Sequence, residues 1–189
     1  MRVFCTFFIF LTLNAFGQKG YPNDTLWNDE DGRLKDEFVV QGIWFKLGRG
    51  DLVTYDDTSK YFSVEDVDII YARLDSLVDL IKDDSCVWEI QVHTDCRGSK
   101  TMSRRPSHSR AESIFNYFVS QGVSSDKLVP KGYGENVPRR VSEAGKTVVL
   151  SCEYITSFRE KDLEKYERLH QLNRRVVFKR LSNFYVPKN

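Results

Sequence analysis

Charge of one sign is what this sequence most lacks. Its 28 lysines and arginines stand against 27 aspartates and glutamates, a formal net charge of +1 over 189 residues. Such a balance gives no support to nucleic acid or an anionic bilayer surface as partner, because those binders carry a net basic face. Cysteine is scarce too, at four, and none stands in the paired C-x-x-C and H-x-x-x-H type spacings of structural zinc sites. A metal centre built from His93, Cys96, Cys152 and His170 is therefore not expected, nor is any other cofactor. An enzyme is not expected either. His93, Asp95 and Cys96 are near neighbours in sequence, whereas the members of a catalytic triad normally meet through the fold.

The chain also lacks a long apolar run beyond its start. "MRVFCTFFIFLTLNAFGQKG" has the layout of an export signal, with Arg2 first, an apolar stretch from Val3 to Leu13, and Ala15-Phe16-Gly17 as the cleavage site before Gln18. That stretch is short of the ~20 residues that span a bilayer. Residues 1–17 are expected to be removed, and a polar, turn-rich arm is expected over 18–37. Three cysteines then remain, Cys86, Cys96 and Cys152. Export favours an oxidising compartment, and an odd count allows one internal bridge and one free thiol. Cys96 and Cys152 both fall in predicted loops and are the expected pair. Cys86 opens an apolar strand and is expected to pack as a small hydrophobe.

What is present is ample material for one core. The hydrophobic fraction is 41% with 13% aromatics, so the chain can fold, and its length suits about one domain. "FVVQGIWFKLG" (38–48) reads as a strand. Val67, Ile70, Tyr71, Leu74, Leu77, Val78 and Ile81 trace one face of a helix, with Ser63 before it as a cap. "VWEIQVH" (87–93) alternates as a strand does, with Trp88, Ile90 and Val92 on one side. A second helix carries Ala111, Ile114, Phe115, Phe118 and Val119. It starts near Ser109, whose spacing to Glu112 suits a capping box, or near Ser103 with Pro106 in its first turn. "DKLVPKGYGE" (126–135) is a short strand, 136–156 reads as irregular, "SFREKDLEKYERLHQL" as a charged helix with a solvated face, and "NRRVVFKRL" (173–181) as a final strand. The order predicts an α/β (α+β) two-layer sandwich, βαβαβ(α)β, with helices packed on a mixed sheet.

Four blocks then fall in a recognisable order: "HTDCRGS" at 93–99, "SHSRAESIFNYFVSQGV" at 107–123, "LVPKGYGENVP" at 128–138 and "HQLNRRVVF" at 170–178. Together they resemble the OmpA-like C-terminal domain family, the peptidoglycan-binding module of OmpA-type porins, the Pal lipoprotein and MotB. The resemblance implies a domain over 38–182, followed by a tail at 183–189. It implies noncovalent binding of peptidoglycan through the free end of meso-diaminopimelate, which carries an ammonium and a carboxylate on one carbon. The family's aspartate and arginine fall at Asp95 and Arg110, the first for the ammonium and the second for the carboxylate, which a guanidinium grips bidentately. Thr94, Ser103, Arg174 and Arg175 are implied as supporting ligand contacts, one of the two last on the carboxylate.

The chain departs from the family pattern at Val92, where glycine is usual, at Ser103, where asparagine is common, and at Pro106, where leucine is usual. These changes concentrate where the family's ligand loop is most regular. The resemblance implies a periplasmic protein of a Gram-negative cell, either free or associated with the outer membrane, where a tether would need an outer-membrane or periplasmic protein partner. The alternative is a drifted module that serves protein–protein assembly without binding the wall.

Overall fold

A computed structural model describes residues 36–40, 42–46, 49–58, 62–97 and 100–182, without the side chains of 100–104 and 182. The expected export signal, most of the polar arm and the C-terminal tail lie outside the described residues. Glu37, read from sequence as the end of the arm, opens the first strand.

Six strands and four α-helices are described. In chain order they are β1 (Glu37–Val40), α1 (Val64–Asp83), β2 (Val87–His93), α2 (Lys100–Ser120), β3 (Leu128–Gly134), β4 (Arg140–Glu143), β5 (Lys146–Val149), α3 (Cys152–Thr156), α4 (Leu163–Asn173) and β6 (Arg175–Ser182). The main sheet has the order β1-β6-β2-β3, with β6 antiparallel to both neighbours and β2 parallel to β3. This is the mixed α/β architecture expected from the sequence. The predicted first strand over 38–48 is shorter than expected. Among the described residues β1 pairs with β6 from Glu37 to Val40, the last opposite Val176, and Phe45 makes an isolated bridge to Leu52.

Helix α1 starts where its cap dictates. The Asp66 N–H donates to Ser63 Oγ at 3.1 Å, while the Ser63 N–H donates back to Asp66 Oδ2 at 2.9 Å. Its buried stripe is Val67, Ile70, Leu74, Leu77, Val78 and Ile81, each contributing ~1.5–3 kcal/mol on burial. That stripe shares a core with Trp88, Ile90 and Val92 of β2 and Ala111, Ile114 and Phe118 of α2. Central strand β2 is buried on its other side as well, but there by polar groups. Glu89 Oε1 accepts from Gln91 Nε2 and from the Tyr133 hydroxyl, each at 2.8 Å.

Helix α2 begins at Lys100, earlier than a Ser103 or Ser109 start, so Pro106 lies inside the helix instead of in its first turn. The segment predicted as irregular is ordered. β4 and β5 form a hairpin whose turn places Ala144 at φ 48° and Gly145 at φ 75°. An alanine at the first left-handed position is uncommon and hides the usual Asn-Gly or Asp-Gly signal. Leu150, Ile155 and Leu169 form a second small core beneath this hairpin, α3 and α4.

Candidate functional site

The parallel strands β2 and β3 end side by side, and the Thr94 N–H donates to the Gly134 carbonyl at 2.9 Å. In open α/β sheets the carboxyl ends of such strands are where ligands bind. Asp95 sits at that edge with its side chain only 13% exposed. Its Oδ1 accepts from the Arg97 N–H at 3.1 Å. Its Oδ2 accepts from Arg97 Nε at 3.0 Å, Arg97 Nη2 at 2.8 Å and Arg174 Nη1 at 2.9 Å. Burial by itself pushes the Asp95 carboxyl up, but the hydrogen bonds from Arg97 and the charges of Arg97 and Arg174 more than offset it and hold it below the usual carboxylate range. Arg97 is braced from the far side by Glu167 of α4, 2.9 Å from Nη1.

Arg110 reaches the same edge from α2, whose position is fixed by close backbone contact. A side chain at Gly132 would put its Cβ 2.2 Å from the His108 nitrogen, so only glycine lets the helix lie directly on β3. Ser107, fully buried, accepts from the Gly134 N–H at 3.1 Å. One turn on, the Arg110 guanidinium lies over the Phe45 ring at 5.2 Å. Its Nε is buried with no hydrogen-bond partner among the described residues. Burial and then the like charge of Arg174 lower its pKa, and Asp95 opposes them. Asp95, Arg110 and Arg174 therefore act on one another electrostatically.

The other expected residues divide. Thr94 Oγ1 is buried beside Asp95 and has no hydrogen-bond partner among the described residues. The side chain of Ser103 lies outside the described residues. Arg174 and Arg175 part company as successive residues do on entering a strand. Arg174 bonds Asp95, whereas Arg175 donates to the carbonyls of Asn173 at 3.2 Å and Val137 at 3.1 Å. Burial and the neighbouring Arg139 bring the Arg175 pKa down to about 10. Of the two arginines, Arg174 is thus the one bonded to Asp95, while Arg175 braces backbone carbonyls. His93 faces Tyr133, ring centroids 5.1 Å apart, with Nε2 3.4 Å from Gln91 Oε1.

Three groups at the edge were not anticipated. Arg97 lies within the "HTDCRGS" block itself, two residues after Asp95. His170, in the "HQLNRR" block, is 1% exposed, with Nδ1 4.0 Å from Asp95 Oδ2 and no hydrogen bond at either ring nitrogen among the described residues. Burial lowers its pKa, against the pull of Asp95. The stretch read as a solvated helix therefore buries Leu169 and His170. Phe45 supplies the floor under Arg110. Cys96 and Cys152 are joined as a disulfide, Cα atoms 5.8 Å apart, tying the residue after Asp95 to the first residue of α3. Cys86 is buried and free.

Residues 61–147 match the family model described as the OmpA family. Outer membrane protein A of Serratia marcescens is 36% identical over 98 residues, covering 51% of this chain and 26% of that protein. Outer membrane protein A of Salmonella typhi is 36% identical over 72 residues, covering 38% and 19%. The chain thus spans about a quarter or less of the length of these curated relatives. Among solved structures, the peptidoglycan-associated lipoprotein of Burkholderia pseudomallei is 16% identical with a TM-score of 0.48, covering 78% of this chain and 91% of that one. A putative MotB-like protein of Desulfovibrio vulgaris is 19% identical with a TM-score of 0.47, covering 77% and 74%.

Proposed function

We propose that this chain, which carries an OmpA family domain at residues 61–147, binds peptidoglycan noncovalently by the zwitterionic end of a meso-diaminopimelate stem. Asp95 accepts the ligand's ammonium and Arg110 grips its carboxylate, with Thr94 and Arg174 beside them. One observation carries the reading. Around a single carboxylate, Thr94 Oγ1, the Nε atoms of Arg110 and Arg174, and both ring nitrogens of His170 are buried without hydrogen-bond partners among the described residues. Buried polar atoms are nearly always paired, and each orphan costs ~1–3 kcal/mol. Five of the nine such atoms among the described residues gather about Asp95, and this grouping supports a site kept for a polar ligand.

The clasp works by charge and shape alone, without a chemical step. The ammonium replaces Arg97 at Asp95 Oδ2, and the carboxylate offers an acceptor to the Arg110 guanidinium, whose Nε has none among the described residues. In this reading residues 1–17 direct export, 18–37 form an arm, 38–182 bind the wall and 183–189 are a tail. The protein works in the periplasm, held at the outer membrane by a protein partner.

A specific observation favours the alternative of an assembly module that no longer binds the wall. The acceptor Asp95 is already taken by two arginines. Co-sedimentation with purified sacculi separates the two. Wild type pellets and Asp95→Ala and Arg110→Ala do not, if the clasp operates. Wild type left in the supernatant assigns the assembly role, and both variants pelleting as wild type does would mean that the wall is bound elsewhere than at Asp95 and Arg110.

A further inference from the structure

A second carboxylate stands at the same sheet edge. Glu135 follows β3 directly, as Asp95 follows β2 by two residues, and the parallel pairing of these strands puts both on one side. Glu135 Oε2 is buried and accepts no hydrogen bond among the described residues. It lines a half-open cavity of about 250 Å³ together with Cys96, Asn136, Ser151, Cys152 and Asn173. The disulfide forms part of the wall, so this cavity begins at the residue next to Asp95.

Several other polar groups in the wall are engaged by their neighbours. Asn173 Nδ2 donates to the Leu150 carbonyl and its Oδ1 accepts from the Arg139 N–H. Ser151 Oγ accepts from the Tyr154 N–H, and Asn136 Nδ2 donates to the Tyr133 carbonyl. Glu135 Oε2 is the buried side-chain acceptor in the wall that has no donor among the described residues. A buried anionic oxygen without a donor calls for an N–H or an ammonium from outside.

We infer that Glu135 and its cavity form a second subsite, which accepts an N–H from the ligand's other amino group when the first is held at Asp95. In free diaminopimelate that group is an ammonium, and in a stem peptide it is an amide. This rests on the clasp described above and adds a length requirement to it. The ligand must carry two nitrogen centres, one for each strand end.

Titration calorimetry with free meso-diaminopimelate and with 2-aminopimelate tests the subsite, because the second ligand has one amino group and cannot fill both places. Wild type is expected to prefer diaminopimelate by about tenfold or more, the scale of one charge-assisted hydrogen bond. In Glu135→Met the preference collapses, and in Glu135→Gln, which keeps an acceptor without the charge, it falls part-way. Far-UV circular dichroism and melting confirm that each variant is folded. Equal affinities in wild type, or an undiminished preference in Glu135→Met, overturn the subsite. Failure of wild type to bind either ligand overturns the clasp, and the subsite with it.

Discussion

Removing the bridge between Cys96 and Cys152 tests how the ligand loop is held. The two cysteines are 56 positions apart, and the enclosed chain includes α2, β3 and the β4–β5 hairpin. In the chain-entropy account a loop of that length confines the unfolded state by about 14 cal/mol/K, or ~4 kcal/mol at 25 °C. The double substitution Cys96→Ser, Cys152→Ser is preferred to either single one, which would leave a lone reactive thiol. Urea unfolding of the two proteins, followed by tryptophan fluorescence, is expected to show a lower midpoint for the variant and a stability loss near that figure. Wild type denatured without reductant should react with alkylating reagent at Cys86 alone. Three reactive thiols, or a stability difference under about 1 kcal/mol, would refute the reasoning. Ligand affinity should fall as well, because the bridge anchors the residue after Asp95.

Replacing Arg97 by glutamine should raise affinity for a diaminopimelate stem, since the ligand's ammonium no longer has to displace a guanidinium from Asp95. The pair is a third exposed on the arginine side, so the gain is modest, about two- to fivefold. Unchanged or weaker binding by calorimetry would mean that Arg97 does not compete with the ligand. Acid stability should follow His93, which is 3% exposed and whose pKa burial lowers to about 3. Between that value and the ordinary imidazole pKa near 6.5 the unfolded chain binds a proton that the folded chain refuses, so stability falls as pH drops through this window, by up to ~1.4 kcal/mol per unit. Urea midpoints measured from pH 7 to 4 should show a shallower slope in His93→Gln, and an identical slope would assign the acid sensitivity elsewhere.

The fold was legible where periodicity and caps agree. The apolar face of α1 and the Ser63 cap, the alternation in "VWEIQVH" and the order of elements all carried through to the structure. The β4–β5 hairpin was hidden because Ala144 occupies the left-handed turn position that asparagine or aspartate usually marks. Its small core, built on Leu150, Ile155 and Leu169, is spread over three separate segments, and no window of sequence displays such a pattern. At the site, the proximity of Asp95 and Arg110 follows from strand, loop and helix in succession. The different fates of Arg174 and Arg175 do not, since adjacent arginines look alike until the start of β6 is known. His170 was hidden by the surrounding charged residues. Its burial depends on α4 packing against the loop of Asp95, a contact across 75 positions of sequence (170 − 95).

The central claim, that Asp95 and Arg110 read the two charges on one carbon, is tested most directly by stem chemistry. A lysine-containing stem presents the ammonium without the carboxylate, and a diaminopimelate stem presents both. Calorimetric titration of the wild-type protein with the two soluble stem peptides should show binding of the diaminopimelate form and a loss of about 2 kcal/mol or more for the lysine form, because the part-buried Arg110 then gains no carboxylate partner. In Arg110→Ala that difference should vanish. Equal affinity of wild type for both stems would contradict the account.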